Sequence, residues 1–289
     1  MKTAQVLSKL VSKSIISSVF LPKSRAVNLA PWAALCAGLL LSGCSQTTSQ
    51  IAPEPVIPAT TTQLVLVVSD NWQASTGQLY QLSRAAGQPW QLLPYNAAVD
   101  LGRNGTAWGL GVHPAQPGPQ KQEGDGKAPA GLFRLSAAFG AVPVLETRMP
   151  YQQMSAFDYC IDVPTSPLYN QTLDIRQYKP EWTAGSTEPM RRDLMPKKSD
   201  GVYEKGLFID HNFSGGEARQ TGAGSCIFMH LKSPDGRKTA GCTALAPDHL
   251  TALLQWLDPK AQPLYLLLPV SEYQRLQQEW QLPNLPALR

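Results

Sequence analysis

From Leu64 onward the apolar residues come in short runs of leucine, valine and aromatic side chains, broken by Gly, Pro, Asn, Asp and Ser. LVLVVSDNW (64–72), GQLYQLSRAA (77–86) and PWQLLPYN (89–96) succeed one another in this way and predict a meander of antiparallel strands. Asn104-Gly105 predicts a tight hairpin. EGDGKAPAGLFRL (123–135) reads as a loop leading into an amphipathic strand, and LFIDHN (207–212) and SCIFMHL (225–231) as two further strands. PDHLTALLQWL (247–257) has the helical period instead, with Leu250, Leu253, Leu254 and Leu257 on one face and Asp248 as its N-cap. PLYLLLPV (263–270) then predicts a buried strand and SEYQRLQQEW (271–280) a final short helix. The expected fold is mainly β with a few helices late in the chain, occupying residues 64–289 as one domain without internal repeats.

Before Leu64 the pattern is different. Lys2, Lys9, Lys13, Lys23 and Arg25 form a basic region without an acid, followed by an apolar run from Ala26 to Leu41 and then Leu41-Ser42-Gly43-Cys44. The run is short for a membrane span and contains Pro31, and small residues before a cysteine at its end read as a lipoprotein signal, 1–43, cut so that Cys44 becomes the acylated N-terminus. Several acyl chains on one cysteine give stable anchoring. Ser45 in the next position, by likeness to known lipoproteins, favours an outer membrane. Residues 44–63 are rich in Ser, Thr, Gln and Pro and predict a flexible tether.

Removing 1–43 changes the charge picture. The whole chain carries 25 Lys and Arg against 21 Asp and Glu, but five of the basic residues and none of the acids belong to the signal, leaving 20 against 21. The mature chain is near neutral, with no basic cluster long enough to follow a nucleic-acid backbone. GRNGTAWGLG (102–111) is not a phosphate loop, because no Lys-Ser/Thr follows and no helix opens after it; its glycines serve turns.

The stretch GSCIFMHLKSPDGRKTAGCTAL (224–245) concentrates candidate chemistry. In a strand over 225–231, Cys226, Phe228 and His230 share one face while Ile227 and Met229 share the other. KSPDGRK is a polar turn that brings Cys242 back toward His230. Three readings compete: a zinc site of Cys226, His230 and Cys242, which lacks the close cysteine pair that zinc sites usually show; a disulfide with a buried histidine; or a Cys242 nucleophile with His230 as its base. Outside the membrane, oxidation favours a Cys160–Cys226 bridge, which leaves Cys242 as the free thiol, whereas a Cys226–Cys242 bridge would block it. Gly241 permits a crowded backbone whose amides can face an oxyanion.

Taken in order, GDGKAPAGLFRL, GLFIDHN, GSCIFMHL and TAGCTAL resemble the L,D-transpeptidase (YkuD-type) catalytic domain over about residues 64–270. The resemblance implies a mainly β sandwich or barrel and a catalytic cysteine in Thr239-Ala240-Gly241-Cys242 with His230 as partner, oriented by Thr239, Asp210 or a backbone carbonyl. It implies peptidoglycan stem peptides as partner, a thioacyl enzyme resolved by an amine or by water, and no metal or organic cofactor. The better-known pattern of the family has a histidine and an arginine where this chain has Ala240 and Ala244. Arg191, Arg192, Arg237 and Lys238 are candidates to hold a substrate carboxylate in its place, and His211 and Asn212 to support the site. The alternatives within the same chemistry are a hydrolase that trims stems or releases wall-linked protein; outside it, a wall-binding lipoprotein without turnover.

Overall fold

A computed structural model describes residues 55–196, 199–213 and 219–285. The signal segment, Cys44 and most of the tether lie outside the described residues. The end of the tether differs from expectation: residues 55–63 lie against the domain, with Ile57 2% exposed and its carbonyl, like those of Pro58 and Thr61, accepting from the Arg84 guanidinium. An apolar side chain with a place to be buried does not stay in a tether.

The expected meander is present as β1 (Gln63–Ser69), β2 (Thr76–Ser83) and β3 (Gln91–Asp100), paired antiparallel in that order. β4 (Thr106–Trp108) precedes the long β5 (Ala128–Gly140), with β6 (Tyr151–Gln153) parallel to its far end. Further on come β7 (Asp158–Cys160), β8 (Thr172–Asp174) and the one-turn α1 (Pro180–Thr183). β9 (Glu188–Pro189), β10 (Lys205–Ile209), β11 (Phe228–Leu231) and β12 (Thr243–Leu245) follow, then α2 (Pro247–Trp256), β13 (Leu264–Pro269) and α3 (Val270–Leu276). The meander continues from β1 to β13, parallel, and then through β5, β10, β11 and β12 back to β3, where Ala244 faces Asp100. The sheet therefore closes into an eight-stranded mixed barrel, which removes its edges.

β1 shows why the barrel buries both of its faces. Val65 and Val67 point inward to Leu253, Tyr265 and Leu267, while Leu64, Leu66 and Val68 point outward beneath Trp108, Tyr273, Leu276 and Trp280. α2 lays Leu250, Leu253, Leu254 and Leu257 onto the inner core, as its spacing predicted. Its cap was misread: Ala246 is the N-cap, Pro247 fills the first helical position, and Asp248 lies in the first turn, where a negative charge still suits the exposed amides. No helix among the described residues is long and apolar enough to cross a membrane.

Asn104-Gly105 forms a turn, not a hairpin. Gly105 has φ +86° and donates to Gly102 O at 2.8 Å, but β4 pairs in parallel with β5 while β3 pairs with β2 and β12. Thr106 N–H donates to Trp72 O, and a Cβ on Gly105 would lie 2.1 Å from that oxygen, so the turn packs against residue 72 and diverts the chain. The strand expected over 225–231 starts at Phe228, because Cys226 has φ +58°. The predicted alternation of faces holds nonetheless: Ile227, Met229 and Leu231 join the inner core, and Cys226 and Phe228 an outer cluster with Phe139, Tyr203 and Cys242.

One part had no counterpart in the sequence reading. β8, β7 and β9 form a separate small sheet over Ile161, Leu168 and Leu173. A Cys160–Cys226 disulfide fastens this sheet to the start of β11.

Candidate active site

Cys242 ends the turn between β11 and β12, and the turn is held by its own residues. Thr239 Oγ1 donates to Cys242 O at 2.7 Å and accepts Gly241 N–H at 3.2 Å. The backbone of Thr239 is tied to the meander: its carbonyl accepts Arg103 N–H at 2.9 Å and its N–H donates to Leu101 O at 3.2 Å. Gly241 has φ +157°, and a Cβ there would meet Lys127 O at 3.0 Å and Ile227 Cδ1 at 3.1 Å, so the position requires glycine. The Gly241 amide is thus engaged by Thr239 and is not free to face an oxyanion unless that hydrogen bond is given up.

β11 runs parallel beside Cys242. Phe228 N–H donates to Cys242 Sγ at 3.3 Å, and the thiol donates to Cys226 O at 3.4 Å. His230 lies two residues further on the Phe228 face, about 6.6 Å along the strand. Its Nδ1 is 2.7 Å from Leu231 O; a carbonyl only accepts, so Nδ1 carries the proton and Nε2 the basic lone pair. Of the three orienting groups considered, the backbone carbonyl holds the ring. Thr239 is spent on Cys242 O, and Asp210 accepts from Ser136 Oγ at 2.6 Å beside a different cavity.

Tyr203, which sequence reasoning missed, fills the corner between the two. Its ring packs edge-on at 5.1 Å from His230 and 5.5 Å from Phe228, and its hydroxyl lies near enough to the Cys242 thiol to favour the thiolate. Arg192 lies over the same ring at 5.2 Å and pairs with Glu188 at 3.3 Å and with Asp200. Nothing in the spacing of these residues relative to Cys242 marks them; tertiary folding brings them in.

Burial dominates the electrostatics. It pushes the Cys242 thiol up to about 12, the Phe228 amide opposing and the Glu188 charge adding to it. Burial also lowers His230 to about 4, against the pull of the Leu231 hydrogen bond. The resting pair is a neutral thiol and a neutral imidazole.

Both groups line one cavity of about 350 Å³ together with Thr239, Gly241, Tyr203 and Cys226. Of the cations nominated from sequence, Arg192, Arg237 and Lys238 reach this cavity. Arg191 pairs with Asp193 and is not among its lining residues. His211 and Asn212 serve the adjoining loop: His211 Nδ1 accepts Leu110 N–H and its Nε2 donates to Ala223 O, while Asn212 Nδ2 donates to Gln220 O and Gly224 O. Cys226 is bonded to Cys160, so it has no thiolate to offer the zinc alternative, and Cys242 is the free cysteine among the described residues.

No curated protein and no solved structure matches the chain. The YkuD family model, described as the L,D-transpeptidase catalytic domain, matches residues 95–266, from within β3 into β13 and across both His230 and the Thr239–Cys242 turn. With more than half of its length matched by that model, the chain belongs to the YkuD L,D-transpeptidase catalytic domain family.

Proposed function

We propose that the protein is a cysteine L,D-transpeptidase acting on peptidoglycan tetrapeptide stems, with Cys242 as nucleophile and His230 as base. Membership of a family whose substrate is peptidoglycan implies a place in the cell envelope. The observation that carries the finer reading is the one free thiol among the described residues, sharing a cavity with an imidazole whose tautomer leaves Nε2 basic.

The Cys242 sulfur attacks the carbonyl of the stem's third residue, and its proton passes to His230 Nε2. Since burial disfavours both the thiolate and the imidazolium, the proton moves as the S–C bond forms and the charge passes to the oxyanion, which the Cys242 amide holds. His230 returns the proton to the leaving nitrogen of D-alanine and leaves a thioester. It then takes a proton from the resolving amine, giving a cross-link, or from water, giving a trimmed stem. No metal or organic cofactor is needed for these steps. The acylated Cys44 and the tether would hold the domain near the wall, on an outer membrane.

The test is incubation of the purified protein with tetrapeptide muropeptides. The reading expects D-alanine release, a mass adduct on Cys242 with a carbapenem, and neither in Cys242→Ala. Muropeptide binding without release or adduct would instead establish a wall-binding lipoprotein.

A further inference from the structure

We propose that Arg103 is the anchor for the substrate's terminal carboxylate, the task left open by Ala244; the inference rests on the transpeptidase reading. Five cationic side chains line the catalytic cavity, and four are already committed to protein carboxylates. Lys121 pairs with Asp125 at 2.6 Å, Lys238 with Asp100 at 2.6 Å, Arg192 with Glu188 and Asp200, and Arg237 with Asp235 and Asp200. Each would have to release a partner to accept a ligand carboxylate. Arg103 has no ion pair among the described residues.

Its placement is fixed by the catalytic turn itself. Arg103 N–H donates to Thr239 O, and the Thr239 hydroxyl holds Cys242 O, so two hydrogen bonds connect the arginine backbone to the nucleophile's own carbonyl. The guanidinium lies over Gly126, where a Cβ would come within 3.1 Å of Arg103 Cζ and Nε; the missing side chain leaves the fork its room. The cavity lining also carries the carboxylates of Glu123, Asp162, Glu188 and Asp200, which disfavour an anion wherever no cation faces it. A carboxylate entering the cavity therefore finds its open cation at Arg103, where a planar fork can take both oxygens. In a tetrapeptide stem the D-alanine carboxylate is one carbon from the scissile nitrogen, so this contact sets the position of the bond to be cut.

The experiment measures binding of a tetrapeptide stem with a free C-terminal acid, and of its C-terminal amide, to the whole chain carrying Cys242→Ala. The acid should bind about tenfold or more tighter than the amide, as a charge-assisted contact supplies. Adding Arg103→Gln should bring the two to parity, and Arg103→Lys should keep part of the preference. A preference that survives Arg103→Gln, or is absent from the start, overturns the anchor. If the preference depends on Arg103 but the unsubstituted protein releases no D-alanine, the anchor stands and the transpeptidase reading fails.

Discussion

The neutral resting dyad can be tested through the pH dependence of Cys242 alkylation in the protein without substrate. Burial raises the thiol from its ordinary 9.0 to about 12, which lowers the thiolate fraction at neutral pH by roughly a thousandfold. A more basic thiolate is also a better nucleophile; with a Brønsted slope of about 0.45 this returns roughly twentyfold, so iodoacetamide should react about 50 times more slowly than with an ordinary thiol. Limited access slows alkylation equally at every pH, so the diagnostic is the slope. The logarithm of the rate should rise by about one per pH unit up to pH ~11, with no plateau near neutrality. With His230 lowered to about 4, His230→Gln should leave this profile unchanged while reducing D-alanine release about a hundredfold or more. The assay is mass-resolved alkylation of Cys242, since Cys160 and Cys226 are bridged. A plateau beginning below pH 8 that disappears in His230→Gln would show a preformed thiolate–imidazolium pair and refute the argument from burial.

Tyr203→Phe keeps the ring against His230 and Phe228 but removes the hydroxyl from Cys242, so kcat should fall about tenfold with KM little changed; equal loss in both would indicate a substrate-binding role instead. The disulfide closes a separation of 66 residues, and Cys160→Ser with Cys226→Ser should cost about 4 kcal/mol in a urea titration and loosen the carbonyl that accepts the thiol. His211 is 2% exposed and lowered by burial to about 3, so its contribution to stability is complete above its unfolded value near 6.5 and lost as pH falls toward 3. Between pH 7.5 and 4.5 that amounts to about 2–3 kcal/mol, and the drop in urea midpoint over this range should shrink in His211→Gln. Gly241→Ala should abolish turnover and cost about 1–3 kcal/mol, because the new Cβ meets Lys127 O and Ile227; retained activity would show that the turn can shift.

Much of the scaffold could be read from local pattern. β1, β2 and β3, the leucine face of α2 and the apolar β13 each bury residues spaced at their own period, and burial of such a face depends little on what covers it. That His230 and Cys242 come to one cavity across a polar turn was also visible, because a short connection returns the chain beside the strand that carries the histidine. Closure of the barrel through β13, β5 and β10 was not visible, since pairing between distant strands is chosen by the packing of the whole core. The same limit hid the small sheet over the site and the Tyr203 corner, whose sequence distance from Cys242 carries no periodic signal. Asn104-Gly105 shows the boundary well: the dipeptide fixed a turn, and contact with Trp72 decided which strands left it. Sequence alone thus determined which side chains could do chemistry and on which faces they lie. Tertiary structure decided which cations are already paired, which amides are spent and how far burial moves the thiol and the imidazole, because those quantities depend on neighbours that only folding assembles.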